Sequence, residues 1–304
     1  MFESRKMTIQ IMRDLIVAEV DEQADVNPSM LLRGNNTAFK MLKGYVEILG
    51  LDYLNQTLGM LVKFVNNNPE GYDINPAHMD DLDEEELEAR VAKLTDIVNE
   101  FWEQIVTSTE NMPIQIRFLC RQLQHAVEEK FPEKRIIVIG EFFFNRLICP
   151  AIATPVAYGI MDEEPSEEAR RVLILIRTIL LNIVHGNQVS QKHPWMNVMG
   201  DLVLERQDSL QVFVDELCNV DEAELNTVQS AYEITPDLLA ESAHNVYMKM
   251  KEDKLPIMAK LLPDLRETGN VAERLQAILK DLGLPKPKKS KAAIAAAAAN
   301  EKKG

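Results

Sequence analysis

Apolar residues recur along this chain at the spacing of an α-helix. The clearest stripe steps by four and three residues through Leu87, Val91, Leu94, Val98, Phe101 and Ile105. Such a stripe gives one apolar face to a single long helix. Six acidic residues between Asp80 and Glu86 precede it, and acidic groups favour the positive end of the helix dipole. The pattern predicts a long helix that begins in this acidic run.

The same periodicity predicts helices through most of the chain. Further helices are expected over 8–21, 39–49, 54–65, 113–130, 133–149, 166–185, 200–219, 222–233, 236–251 and 270–282. Gly50 is expected to end the second of these and Asn66-Asn67-Asn68-Pro69 the third. Residues 135–140 have the composition of a strand, but they continue into a helical pattern and no partner strand is visible. The predicted fold class is all-α.

Three regions are expected along the chain. A single elongated helical domain occupies 1–225, and a C-terminal helical extension packs on it over 226–284. Residues 285–304 join a lysine cluster to an alanine run, which cannot bury a core, so we expect a disordered basic tail.

Charge narrows the choice of partner. The chain has a formal net charge of −15, and the tail holds six lysines and one glutamate, so residues 1–284 carry −20. A body this acidic argues against binding to nucleic acid or to an anionic membrane surface. There is no uninterrupted apolar run of 18 residues and no signal-peptide pattern, so no membrane insertion is expected. With three scattered cysteines as well, a cytoplasmic protein is expected.

The motifs of self-contained enzymes are missing. The sequence has no phosphate-binding Gly-x-x-x-x-Gly-Lys loop, no His-Glu-x-x-His, no Gly-x-Ser-x-Gly and no Cys-x-x-Cys. Its five histidines are spread singly, so neither a metal site nor a catalytic histidine is predicted. An all-α chain of this kind is first of all interpreted as a binding protein.

Two arginines differ from the other charged residues in their surroundings. Arg33 lies between two helical patterns, after Leu31-Leu32 and before Gly34-Asn35, where it would sit on a short, fixed loop. Taken alone, it is interpreted as an ordinary arginine exposed to solvent. Arg146 lies in the apolar stretch 142–152, where a buried guanidinium needs acceptors. It forms a structural salt bridge, extends its charged end to solvent, or bonds the carbonyls of a neighbouring loop.

The segments around the two arginines resemble the catalytic domain of Ras GTPase-activating proteins (RasGAPs). The resemblance rests on Leu31-Leu32-Arg33-Gly34-Asn35 and, 113 residues on from Arg33 to Arg146, on Phe144-Asn145-Arg146-Leu147-Ile148-Cys149-Pro150-Ala151-Ile152. Further matches are Asn111-Met112-Pro113, Asn182 and Lys192-His193-Pro194-Trp195-Met196. It covers roughly 20–220 and implies an all-helical domain for 1–225.

The resemblance also implies a function and a site. The domain would bind a Ras-family small GTPase in its GTP state and insert Arg33, the arginine finger, to accelerate hydrolysis. Arg146 would brace the loop that carries the finger. The residues implied to contact the GTPase are Leu32, Gly34, Asn35, Asn182, His185 and Lys192. No cofactor of its own is implied, since the GTP and Mg²⁺ belong to the GTPase, and recruitment would bring the chain to the inner face of the plasma membrane.

The chain departs from the family pattern at four positions. Asn145 replaces a leucine, Leu181 a glutamine, His185 an asparagine and Thr178 a frequent lysine. The block 111–132 also resembles the GAP-related domain of IQGAP scaffolds, which bind Rho-type GTPases without accelerating hydrolysis. The alternative prediction is therefore a catalytically inactive, IQGAP-like scaffold, against which Arg33 argues.

Overall fold

The structure is a computed structural model that describes residues 8–23, 37–78, 83–186, 194–221 and 223. Its helices are α1 (Thr8–Gln23), α2 (Thr37–Asn67), α3 (Glu84–Val106), α4 (Ile114–Lys130), α5 (Arg135–Phe143), α6 (Cys149–Ala153), α7 (Glu167–His185), α8 (Gly200–Glu205) and α9 (Gln207–Cys218). A π-helical turn, Phe144–Ile148, joins α5 to α6. The described residues contain no strand, so the predicted all-α class is confirmed.

Three predicted helices form much as the pattern indicates. Helix α3 begins after Asp83, whose side chain accepts a hydrogen bond from the Glu86 amide, as the acidic run predicts. Helix α4 fills the predicted range 113–130. Helix α7 begins after Ser166, which caps the Ala169 amide, and ends at a glycine in the left-handed region.

The prediction that Gly50 ends a helix is wrong, as helix α2 shows. The expected helices 39–49 and 54–65 are one continuous helix that passes through Gly50. A Cβ atom at this position would lie 2.5 Å from Cδ1 of Leu147. Gly50 is therefore explained by the close approach of the Leu147 side chain, which the sequence pattern alone does not reveal.

Two more predicted helices are interrupted. The range 133–149 is divided by the π-helical turn, and 200–219 is divided at Arg206. At the second break the Gln207 side chain donates to the carbonyl of Val203, at the end of the first of the two helices. The predicted helices 222–233, 236–251 and 270–282 lie outside the described residues. The extension 226–284 and the tail 285–304 therefore stay predictions.

Described residues from Ile9 onwards belong to one compact unit with a large aromatic core. Phe144 stacks on Trp102 with a ring-centroid distance of 5.6 Å, and Phe143 meets Phe144 edge-on at 5.5 Å. Phe213 of α9 packs against both phenylalanines. The core thus centres on the end of α5 and the start of the π-helical turn.

Within the part of the chain that the structure describes, one segment is long and apolar enough to cross a membrane by length and composition. It is Pro132–Ala153, whose most apolar window of 18 residues has a mean hydropathy of 1.8. Of that window 67% is buried among the other helices, as expected for the central helix of a helical bundle.

Helix α2 allows a matched test of glycine packing. We expect Gly44→Ala to raise the free energy of unfolding by about 0.5–1 kcal/mol, because nothing lies within 4 Å of the added methyl and alanine favours a helix. Gly50→Ala should lower it instead, because Leu147 is fully buried and cannot easily move aside. Urea denaturation measures both, and equal effects at the two sites would contradict the proposed role of Gly50.

Candidate functional site

Arg146 lies on the π-helical turn. The amide of Cys149 donates to the carbonyl of Phe144, five residues earlier, which widens the helix by one residue. Phe144 and Leu147 are fully buried, whereas Asn145 and Arg146 are half-buried. The wide turn therefore keeps the apolar side chains in the core while it places two polar side chains at the edge. Such turns occur frequently at functional sites.

Pro150 supplies a physical reason for the wide turn. A proline in a helix has no amide hydrogen to donate, and its ring would press on the carbonyl four residues earlier. That carbonyl belongs to Arg146. The amide of Cys149 donates instead to the carbonyl of Phe144. The helix therefore continues into α6, with Pro150 in the first turn of α6. Pro150 is the sequence signal by which the interruption could have been predicted.

Helix α7 runs antiparallel to α5 and α6. A Cβ on Gly140 would lie 2.9 Å from Val184 near the end of α7, so the two helices touch there. Toward the start of α7, the Cys149 thiol lies 3.8 Å from the carbonyl oxygen of Arg177. Between these two contacts the π-helical turn lies opposite residues 178–182. Arg146 is thus placed beside the middle of α7.

A polar cluster joins α5, the π-helical turn and α7. The carboxylate of Glu141, a residue that is 8% exposed, pairs through Oε1 with Nε2 of His185. Its other oxygen, Oε2, accepts from Asn145 Nδ2 at 3.3 Å. We call Glu141, Asn145 and His185 the Glu141 cluster. Sequence reasoning missed Glu141, whose signal is a single carboxylate in the otherwise apolar run 136–144.

The end of α7 is held from a second side. Gly186, at φ 61°, ends the helix, and its amide donates to the carbonyls of Asn182 and Ile183. The side chain of Gln207 adds a donor 2.8 Å from the Ile183 carbonyl. The helix end that carries His185 is therefore bonded both to α5 and to the start of α9.

Three of the predicted site residues lie together. Arg146 follows Asn145 of the Glu141 cluster, His185 belongs to that cluster, and half-buried Asn182 precedes His185 by one turn of α7. The other predicted site residues lie outside the described residues: Leu32, Arg33, Gly34, Asn35 and Lys192. Helix α2 begins at Thr37, four residues after Arg33 in sequence.

The remaining departures from the family pattern lie on the same stretch of α7. Thr178 donates its hydroxyl to the carbonyl of Ile174 at 2.7 Å, so its side chain is turned toward its own helix. Leu181 is half-buried and packs against the edge of the core. Neither residue supplies a charge to the face beside Arg146.

The described residues offer little chemistry of their own. They contain no group of three or more metal-ligating side chains. All three cysteines are buried, and burial raises the pKa of the Cys149 and Cys218 thiols to about 12 and that of Cys120 well above its ordinary value. These thiols therefore stay protonated at neutral pH and are poor nucleophiles.

A groove of about 540 Å³ lies between α2 and α3. Met60 and Phe64 are among its exposed apolar side chains, with Glu100 and Glu103 on the facing helix. No residue of the π-helical turn or of α7 lines this groove. It is therefore separate from the face that carries Arg146.

A comparison with known families shows which proteins this part of the chain resembles. A family model described as GTPase-activator protein for Ras-like GTPase matches residues 77–185. The match includes Arg146, Asn182 and the whole Glu141 cluster. Residues 77–185 are thus similar to the RasGAP family. The family resemblance inferred from the motifs is thereby confirmed.

Curated relatives extend the RasGAP similarity beyond that segment. The chain is 26% identical over 223 residues to the probable Ras GTPase-activating-like protein ngap of Dictyostelium discoideum, which covers 72% of this chain and 25% of the relative. It is 29% identical to the inhibitory regulator protein IRA2 of Saccharomyces cerevisiae over 72% of this chain and 7% of the relative. Against human Ras GTPase-activating protein 1 the identity is 26%, over 69% of this chain and 20% of the relative.

The chain thus spans a quarter or less of the length of these RasGAP relatives. The similarity concerns one domain within much longer proteins.

Proposed function

We propose that this chain is a GTPase-activating protein that binds a GTP-bound, Ras-family small GTPase and accelerates GTP hydrolysis. The observation that carries the proposal is the match of residues 77–185 to the RasGAP family, with Arg146 inside it. The relatives named as Ras GTPase-activating proteins support the same activity. In this proposal the chain acts on the active site of its partner and contains none of its own.

Arg33 is the proposed arginine finger, inserted in trans into the nucleotide site of the GTPase. Transfer of the γ-phosphoryl group spreads negative charge over the oxygens of the transferred and leaving groups. A planar guanidinium that is always protonated can bridge two of these oxygens with fixed geometry, which the point charge of a lysine cannot do. GTP and Mg²⁺ belong to the GTPase, so the chain requires no cofactor of its own.

Arg146 is the proposed brace of the loop that carries the finger. It lies on a turn that is packed on one side against Gly50 of α2, the helix that follows the Arg33 segment. On the other side the turn is bonded to α7 through the Glu141 cluster. A rigid support of this kind suits catalysis, because a misplacement of about 1 Å can cost about 100-fold in rate.

The proposed contact surface for the GTPase combines two segments with α7. Leu32, Gly34 and Asn35 flank the finger, and Asn182, His185 and Lys192 continue along and beyond α7. Two lysines of α2 follow the Arg33 segment in sequence and can supply positive charge. Lys40 is exposed, and Nζ of Lys43 lies 3.4 Å from Oε1 of Glu47. Exposed acidic residues lie elsewhere, at the start of α3 and over 162–168. We place the chain in the cytoplasm, with recruitment to the inner face of the plasma membrane.

An inactive, IQGAP-like scaffold is the second candidate function. The observation in its favour is that Asn145, Leu181 and His185 depart from the RasGAP pattern in the segment next to Arg146. A scaffold would bind the GTPase in its GTP state and leave the hydrolysis rate unchanged.

A panel of GTPases separates the two functions. Ras, Rap, R-Ras and a Rho-type GTPase are loaded with GTP or GDP, and binding is measured alongside single-turnover phosphate release. We expect GTP-dependent binding and accelerated release with at least one Ras-type member. Binding without acceleration would support the scaffold, and no GTP-dependent binding to any member would overturn both proposals.

A further inference from the structure

Glu141 is a buried carboxylate that needs its partners. It lies among the apolar residues of α5 and is 8% exposed. A carboxylate at this depth costs several kcal/mol unless it is paired and hydrogen-bonded. His185 and Asn145 both bind it, one at each oxygen. Because Glu141 is buried, the hydrogen-bonding side chains of His185 and Asn145 stabilise the folded chain.

The two partners are also two of the positions at which the chain departs from the RasGAP pattern. A leucine at 145 could not donate a hydrogen bond to the carboxylate. An asparagine at 185 has a shorter side chain than histidine and would not extend as far toward Glu141. Asn145 and His185, which are independent departures in the sequence, are thus joined in the structure by a third residue.

The cluster lies where α5 and α7 pack against each other. Gly140 and Val184 touch there, and the next residue on each helix, Glu141 and His185, forms the carboxylate–imidazole contact. Because Gly140 has no side chain, the two backbones approach closely enough for the carboxylate to meet the ring. The same carboxylate holds Asn145, which directly precedes Arg146. The bonds therefore set the position of the π-helical turn against α7.

We infer that Glu141 is a positioning residue for GTPase activation, acting through Asn145 and His185 on the turn that carries Arg146. The inference rests on the proposed function. In this chain the Glu141 cluster fixes the π-helical turn, and two of its members, Asn145 and His185, replace the leucine and the asparagine of the family pattern. Asn145 and His185 thus support the active arrangement of Arg146, which makes these departures compatible with an activator.

The test is a set of variants assayed for both rate and binding. With the partner selected by the GTPase panel, Glu141→Gln should lower the maximal single-turnover rate at saturating chain by roughly 10-fold to 100-fold, as expected for a displaced catalytic support. The chain concentration that gives half-maximal rate should change less than twofold. Ser108→Ala is the matched control, because it removes another buried hydrogen bond, 2.7 Å from the Tyr53 hydroxyl, away from the cluster.

Coupling between the residues gives the decisive comparison. Asn145→Leu and His185→Asn should each lower the maximal rate when Glu141 is present. In the Glu141→Gln background each should have a much smaller further effect, because the shared carboxylate is already lost. If Glu141→Gln only lowers the thermal midpoint, as Ser108→Ala does, the positioning role is wrong.

The outcomes also separate this inference from the function on which it rests. A wild-type chain that activates no GTPase overturns the proposed function and this inference with it. Two results with an active wild type would overturn this inference alone. The first is a rate that Glu141→Gln leaves unchanged. The second is an equal effect of the Asn145 and His185 substitutions in the wild type and in the Glu141→Gln variant.

Discussion

Replacing Arg33 with alanine is expected to remove nearly all stimulation of GTP hydrolysis. The substitution deletes the charged donor proposed to stabilise the transferred phosphoryl group. Arginine fingers of this type contribute about 10³–10⁵-fold in rate. The rate of single-turnover phosphate release at saturating chain should therefore fall by about three orders of magnitude or more. Binding to the GTP-loaded partner should change far less, because the finger acts mainly on the transition state.

Two controls define what the Arg33 result means. Arg33→Lys keeps the positive charge but loses the planar fork, so most of the stimulation should still be lost. Arg170→Ala removes an exposed arginine from the first turn of α7, far along the helix from His185, and should leave the rate unchanged. An Arg33→Ala chain with a wild-type rate would show that another residue supplies the catalytic charge.

Replacing Phe144 with alanine is expected to lower the free energy of unfolding strongly. Phe144 is fully buried, stacks on Trp102 and meets Phe143 and Phe213 edge-on. Loss of the ring removes these contacts and leaves a cavity, at a cost of about 3–5 kcal/mol in the free energy of unfolding. Because Phe144 begins the turn that carries Arg146, partial loosening of this turn should also lower the stimulated rate.

Phe64→Ala is the matched control for that substitution. The Phe64 side chain belongs to α2 and is 49% exposed, so its loss should cost no more than about 1 kcal/mol. Urea denaturation of the two variants gives the comparison directly. Similar losses of stability in both would contradict a core centred on the start of the π-helical turn.

The helical fold could be predicted because apolar periodicity is a local property of the sequence. The stripe from Leu87 to Ile105 is recovered as the inner face of α3, with Leu94, Val98, Phe101 and Ile105 buried. Gly50 was misread because a glycine that allows close packing looks the same in sequence as one that ends a helix. Only the position of Leu147, almost a hundred residues away, distinguishes the two.

The candidate site could be predicted only in part. The surroundings of the two arginines distinguish them in the sequence, but the joint role proposed for them rests on family resemblance, because no periodicity relates Arg33 to Arg146. The Glu141 cluster could not be predicted, since Glu141 and His185 meet only when α5 and α7 pack antiparallel. Pro150 carried a usable signal for the wide turn, through its missing amide hydrogen.

The net charge of −15 is a poor guide to the proposed working surface. Exposed acidic side chains at the start of α3 and over 162–168 contribute much of it. On the face beside Arg146, the carboxylate of Glu141 is buried and paired with His185. Excess negative charge elsewhere does not prevent a local surface from meeting nucleotide phosphates.

The central claim is that this chain accelerates GTP hydrolysis on a Ras-type GTPase by means of Arg33. Its most direct test is single-turnover phosphate release from GTP-loaded Ras, with and without saturating chain, for the wild type and Arg33→Ala. We expect the rate to rise by about three orders of magnitude or more with the wild type, and most of this rise to be absent with the variant. A wild-type chain that binds GTP-loaded Ras and leaves the rate of phosphate release unchanged would contradict it.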